Sequence, residues 1–115
     1  MKIIVDGMGG DHAPHEILKG CLEAVKEYGI KITITGDSVK LDQELKNLSA
    51  PLESFNIIHT SEVITMEDSP VKAIKRKTDS SMVKGLQMVR ENSNSVLISA
   101  GSTGALLAGG LLKVV

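Results

Sequence analysis

Short apolar segments alternate with helical patterns along this chain, and this alternation most constrains how it can fold. Residues 3–5 are a compact β-branched run typical of a buried strand. Residues 31–35 alternate apolar and polar positions, and residues 55–59 are a third short strand candidate. Helical patterns follow the first two. Strands that alternate with helices in this way predict an α/β fold with a mainly parallel sheet over residues 1–115.

The predicted helices begin at proline or capping residues. Their starts are expected at Pro14, at residues 36–38, at Ser69-Pro70, at residues 79–81 and near Ala105. Gly29 is the expected end of the first helix. The expected apolar stripes are Ile17, Leu18, Cys21, Val25 and Tyr28; then Leu41, Leu45 and Leu48; then Met82, Val83, Leu86 and Val89. Residues 96–98 are predicted to be a further buried strand.

Composition narrows the function classes. The chain is 42% hydrophobic and 23% charged, which is ordinary for a globular protein. A formal net charge of −1, with no basic run interleaved with aromatic residues, argues against a nucleic-acid partner. The single cysteine, Cys21, excludes an internal disulfide and fits a reducing cytosol. Its helical position suggests a buried small side chain, with a functional thiol as the alternative.

The location of the protein is predicted from two features of the sequence. The apolar start at residues 3–5 is too short for a signal peptide. No segment approaches the roughly 20 apolar residues of a membrane span. A cytoplasmic protein is therefore expected, and peripheral contact with the inner face of the cell membrane stays open.

The first candidate site is the glycine-rich loop at residues 6–14, directly after the first strand. Ligands of open α/β sheets bind at the carboxyl ends of strands, and glycines let a ligand approach the backbone. The spacing does not match the dinucleotide fingerprint, because His12 stands at the third glycine position, and no P-loop Gly-Lys-Ser/Thr follows. Two interpretations stay open: an anion-binding loop, or a tight turn in which Asp11 caps the helix.

The second candidate site is the loop at residues 99–105, which again joins an apolar strand to a helix. Backbone N–H groups and the hydroxyls of Ser102 and Thr103 are placed to bind one anion at the positive end of the helix dipole. Both hydroxyls lie between Gly101 and Gly104, which favours an anion site over a plain connection with a Ser or Thr cap.

A basic segment lies between these loops. Four cations fall within residues 72–77, and hydroxyl-bearing residues follow at positions 78, 80 and 81. Clustered cations suit a phosphate or an acidic protein surface, but a run of charges is also typical of a solvated helix face. Both interpretations stay open.

The three histidines offer little catalytic pattern. Their spacing matches no zinc site, and no serine stands in a nucleophile elbow. His12 alone lies in a candidate loop, where it is either an acid, base or phosphate donor or a simple surface or capping residue.

Three segments together resemble the phosphate acyltransferases of bacterial phospholipid synthesis. Residues 5–14 (VDGMGGDHAP) resemble that family's opening motif, residues 66–82 its second block and residues 99–106 (SAGSTGAL) its third. Their order and spacing make the likeness specific, and it covers the whole chain as the N-terminal part of a longer acyltransferase domain. Many members carry alanine at Gly7, a conservative change, and asparagine at Ser102, where serine reaches less far.

The resemblance implies a three-layer α/β/α fold, akin to isopropylmalate dehydrogenases and phosphotransacetylases and truncated here. It implies transfer of a fatty acyl group from acyl carrier protein to inorganic phosphate, without metal, nucleotide or other cofactor. The acyl phosphate would pass to a downstream membrane acyltransferase, and the full-length protein would be a homodimer. The implied phosphate and substrate ligands are Asp6, Gly9, Gly10, Asp11, Lys77, Ser80, Ser81, Gly101, Ser102, Thr103 and Gly104. Catalytic candidates are His12, Lys77, Ser102 and Thr103.

Three other functions stay open. The chain is alternatively a catalytically incomplete fragment that binds at most phosphate or a partner, as its apolar end at residues 111–115 suggests. An acyl-CoA-dependent phosphotransacylase on the same architecture is a further alternative. A nucleotide-binding module is the last, weakened because both nucleotide fingerprints fail.

Overall fold

The computed structural model describes residues 1–114, so Val115, the last residue of the apolar end, lies outside the described residues. Within that range there are four strands: β1 (Lys2–Asp6), β2 (Ile32–Gly36), β3 (Phe55–His59) and β4 (Ser95–Ile98). The α-helices are α1 (His15–Tyr28), α2 (Ser38–Asn47), α3 (Pro70–Arg76), α4 (Ser81–Glu91) and α5 (Thr103–Gly109). A 3₁₀ turn at Leu52–Ser54 precedes β3, and a π-helical turn at Gly110–Val114 continues α5.

The sheet is parallel throughout, with strand order β3-β2-β1-β4. Val5 of β1 lies opposite Ile34 on one side and Ile98 on the other. The chain moves outward from β1 to β3 and then returns to place β4 on the other side of β1. The strand order therefore reverses between β1 and β4, which is where open α/β sheets form ligand crevices.

Helices cover both faces of the sheet and confirm the predicted three-layer α/β/α arrangement. On one face α1 and α2 pack on the strands around Val5, Ile32 and Ile34. On the other face α3, α4 and α5 share a second core that includes Ile74 and Val83. All five residues of β2 are buried, because this strand has a paired neighbour on each side and helices above and below. None of the helices within residues 1–114 is long and apolar enough to cross a membrane.

Most predicted helix boundaries are confirmed, with two corrections. Asp37 caps α2 by accepting from the Val39 and Lys40 N–H groups, and Gly29 ends α1 with φ 64°. Ser69 stands at the cap position of α3 but makes no capping hydrogen bond with its side chain. Asp11 is not the cap of α1 either, since that helix begins at His15 and follows Pro14.

Two predictions of burial are wrong. Tyr28, the last residue of α1, is 69% exposed and does not belong to the core that α1 forms with the sheet. Val96 and Ile98 were expected in a buried strand but are 38% and 56% exposed. Strand β4 lies at the edge of the sheet, and only the face that carries Leu97 packs against the core shared by α4 and α5.

The predicted burial of Cys21 is confirmed. Its side chain lies in the α1 core, and burial raises the pKa of its thiol to about 11. The thiolate is therefore scarce near neutral pH, which favours the structural interpretation of this residue over a reactive thiol.

Candidate functional site

The two glycine-rich loops meet at the carboxyl ends of β1 and β4, because these two strands are adjacent and parallel. A Cβ added at Gly9 would lie 3.0 Å from the backbone nitrogen of Gly101. One added at Gly10, where φ is 107°, would lie 3.2 Å from the carbonyl oxygen of Ala100. Glycine is required at both positions if the loops are to approach this closely.

Asp6 ties the two loops together from below. Its carboxyl, 2% exposed, accepts from the backbone N–H of Met8 at 3.1 Å and from the Ser99 hydroxyl at 2.9 Å. Ser99 Oγ in turn accepts from the Gly101 N–H at 3.1 Å. Asp6 was predicted to bind phosphate or substrate, yet here it holds the loops in register, and its ligand role remains a prediction.

A crevice of about 220 Å³ lies between the two loops that Asp6 holds together. Its walls come from both loops, through Gly10 and Asp11 on one side and Gly101 and Ser102 on the other. The segment of residues 63–67 closes the third side. The volume suits a small anion better than a nucleotide, since sites for larger ligands usually start near 300 Å³.

The charges lining the crevice are negative. Asp11 and Glu67 are both among its lining residues, and no lining residue within residues 1–114 is basic. An anion placed there depends on N–H groups, hydroxyls and the dipole of α5 for its attraction.

Lys77 is not among the residues that line the crevice in the described chain. Its Nζ donates to the Val63 carbonyl and to Asp68 Oδ2, each at 2.7 Å. The hydrogen bond from Lys77 to Asp68, together with a second one from the Thr65 N–H, holds the pKa of the Asp68 carboxyl below its usual value. Lys77 therefore anchors both ends of the crevice wall at residues 63–67, through Val63 and through Asp68 directly after it, and its role at the substrate remains a prediction.

Ser80 and Ser81 are buried beneath the loops. The Ser80 hydroxyl caps α4 by accepting from the Val83 N–H, and the Ser81 carbonyl accepts from the Thr35 hydroxyl at 2.8 Å. The capping contact accounts for the hydroxyl of Ser80, whereas Ser81 makes its contact through the backbone carbonyl and not through its hydroxyl. These contacts do not bring either side chain to the crevice wall within the described chain, so their substrate roles also remain predictions.

At the start of α5 the hydroxyl of Ser102 accepts from the Ala105 N–H at 3.2 Å, which makes it the helix cap. Serine and asparagine are both favoured caps, so exchange of one for the other keeps this function. The Thr103 side chain is exposed. Gly104 packs on Pro70, which a Cβ there would approach to 2.9 Å.

Gly7 and His12 complete the first loop. A Cβ at Gly7 would lie 2.7 Å from Ile34 Cγ2 and 2.9 Å from the Thr35 carbonyl. Alanine at this position, expected to be conservative, would therefore require a shift of the sheet in this chain. His12 is exposed, and only its carbonyl, which accepts from the Glu16 N–H, is engaged among the described contacts.

Sequence reasoning missed two parts of the site. The wall at residues 63–67 has no glycine or helix start to mark it, and its position depends on the contacts of Lys77. Ser99 lies in the recognised loop at residues 99–105, but its pairing with Asp6, which spans 93 positions of sequence, was not predicted. The strand order alone, had it been inferred, would have placed these two side chains at adjacent strand ends.

Comparison with known proteins gives one consistent result. The family described as "Fatty acid synthesis protein" matches residues 1–115. The chain is 54% identical over 112 residues to a phosphate acyltransferase of Alkaliphilus oremlandii, a match that covers 97% of this chain and 33% of the relative. It is 51% identical over 114 residues to a phosphate acyltransferase of Clostridioides difficile, covering 99% of this chain and 34% of that protein. The chain thus spans about a third of the length of the curated relatives it matches.

Proposed function

The chain belongs to the family of fatty acid synthesis proteins that includes the phosphate acyltransferases, and from this membership we propose that its crevice binds the inorganic phosphate that accepts the acyl group. The observation that carries the proposal is the meeting of two glycine-rich loops where the strand order reverses. Open α/β sheets bind their ligands at such positions.

The backbone around the crevice supplies donors for an anion. Ser102 takes the N–H of Ala105, while the N–H groups of Thr103 and Gly104 have no acceptor within the helix by position. The exposed Gly10 backbone lies on the opposite wall. Donors on two sides would hold phosphate with one oxygen free for attack.

The proposed reaction is the transfer of an acyl group from the thioester of acyl carrier protein. A phosphate oxygen attacks the carbonyl carbon, the carbon–sulfur bond breaks, and the thiolate leaves with its electron pair. Positioning of the two reactants and stabilisation of the oxyanion by N–H donors are the contributions of the protein. We propose the carrier protein as donor, a homodimer as the assembled form and a membrane acyltransferase as the consumer of the acyl phosphate.

A second candidate function is phosphate binding without acyl transfer by this chain alone. The observation that favours it is the charge of the crevice, where Asp11 and Glu67 stand without a lining cation in the described chain. Such a site binds phosphate weakly, because both carboxylates repel the anion. Acyl phosphate formation from acylated carrier protein and phosphate separates the two candidates.

The two carboxylates offer a test of where phosphate binds. Replacement of Asp11 by asparagine and Glu67 by glutamine is expected to tighten phosphate binding by about fivefold for each charge, since a charge pair near contact is worth roughly 1 kcal/mol in water. The affinity is measured by calorimetric titration of inorganic phosphate at fixed ionic strength.

A matched double variant, Asp42→Asn with Glu53→Gln, removes the same charge from positions outside the crevice lining. Its phosphate affinity should equal that of the unaltered chain. If both double variants behave alike, phosphate does not bind between these loops.

A further inference from the structure

A second and larger concavity lies on the α1 face of the sheet. It has a volume of about 480 Å³ and runs between α1 and the strands β1 and β4. The side chains that line it are almost all apolar and include Ile3, Val5, Ile17, Cys21, Ala24 and Ile98. We call it the α1 groove.

Within residues 1–114, small residues line the helical side of the α1 groove and no helix covers the Ile98 side of β4. Gly20, Cys21 and Ala24 line its helical side, and a Cβ added at Gly20 would meet no atom within 4 Å. On the strand side Ile98 is 56% exposed. A concavity of this size and apolar character is typical of a site for an apolar ligand.

One end of the α1 groove adjoins the crevice proposed for phosphate. Ser99 and Ala100 line the groove, while the next two residues of the same loop, Gly101 and Ser102, line the crevice. Tyr28 and Ile30 line the opposite end of the groove, near the amino end of β2. The groove follows β1, whose five residues span about 16 Å at roughly 3.3 Å per residue.

We propose that the α1 groove holds the hydrocarbon chain of the acyl donor. The inference rests on the proposed function and adds to it a location for the second substrate. With the hydrocarbon along β1, the thioester carbonyl reaches the Ser99–Ala100 end, one loop turn from the bound phosphate. Few polar groups line the remainder of the groove, so recognition there depends on the apolar area of the chain and therefore on its length.

The test uses neutral thioesters, because Glu16 and Asp6 stand at the polar end of the groove and would repel a free fatty acid. The probes are the decanoyl and hexanoyl thioesters of N-acetylcysteamine, titrated calorimetrically into the chain. Each added methylene that is buried should tighten binding by up to about fourfold. The decanoyl probe is therefore expected to bind much more tightly than the hexanoyl probe.

Gly20→Leu fills the groove and should weaken decanoyl binding about tenfold or more, by excluding several methylenes. Folding is not at risk, since leucine is a better helix former than glycine and the position has free space. Lys19→Leu is the matched control, because it adds the same side chain to the neighbouring exposed position outside the groove lining. Its decanoyl affinity should stay within about twofold of the unaltered chain.

Equal decanoyl affinity in the two leucine variants would overturn the proposal. A second result would also overturn it: the chain forms a dimer, Gly20→Leu abolishes that dimer, and decanoyl thioester does not dissociate it. The groove would then bind a second copy of the chain. The titration of phosphate into the carboxylate variants is a separate readout. If the thioester titrations fail and the phosphate titrations give the expected result, only the proposed location of the acyl chain is refuted, and the proposed function stands.

Discussion

Replacement of Asp6 by alanine is expected to lower the free energy of unfolding by about 3 kcal/mol, a large share of the stability of a small domain. The substitution leaves the Met8 N–H and the Ser99 hydroxyl, both partly buried, without their acceptor. Each such unsatisfied group costs about 1–3 kcal/mol. The loss is measured by urea denaturation followed by circular dichroism.

The control for this prediction is Asp42→Ala, which removes an exposed carboxylate paired with Lys46 on α2. Exposed pairs of this kind contribute about 0.5 kcal/mol or less. Ser99→Ala removes only the hydroxyl that donates to Asp6, so its loss of stability should lie between those of Asp6→Ala and Asp42→Ala. An Asp6→Ala chain as stable as Asp42→Ala would show that the loops are held by other contacts.

The second large effect is expected at Gly9. Its replacement by alanine should destabilise the fold by about 2 kcal/mol, within the range typical of overpacking. The new Cβ would lie 2.6 Å from Asp6 Oδ2 and 3.0 Å from the Gly101 nitrogen, so the loops must separate to admit it. Urea denaturation gives the size of the effect, and phosphate titration reports whether the crevice survives.

Gly20→Ala makes the same chemical change at a helical glycine with free space around it. This variant should be more stable than the unaltered chain by about 0.8 kcal/mol, since alanine is the better helix former. Opposite signs at Gly9 and Gly20 would confirm that loop contact, and not the loss of glycine itself, determines the result. A neutral Gly9→Ala would refute the close approach of the two loops.

Sequence alone predicted the architecture because its signals are local. A β-branched run such as residues 3–5, a cap such as Asp37 and a stop such as Gly29 each act within a few positions. The candidate loops were likewise recognised from glycines and hydroxyls at strand ends. Exposure of Val96 and Ile98 was not predicted, because the apolar content of a strand does not show which of its faces a helix covers.

The functional assignment of polar residues was harder for a different reason. Asp6, Lys77 and Ser80 have the chemistry of phosphate ligands, but the same groups satisfy loops and helix ends within the protein. Which partner each takes depends on contacts between distant parts of the chain. The negative charge of the crevice has the same origin, since Asp11 and Glu67 meet only through the packing of the segment at residues 63–67.

The central claim is that phosphate binds between the two glycine-rich loops, and amide chemical shifts test it most directly. Two-dimensional ¹H–¹⁵N spectra would be recorded during titration with inorganic phosphate, with chloride at equal ionic strength as the reference. We expect saturable shifts of the Gly9, Gly10, Thr103 and Gly104 amides, with one common affinity. Saturable shifts confined to the basic segment at residues 72–77, with these amides unchanged, would contradict it.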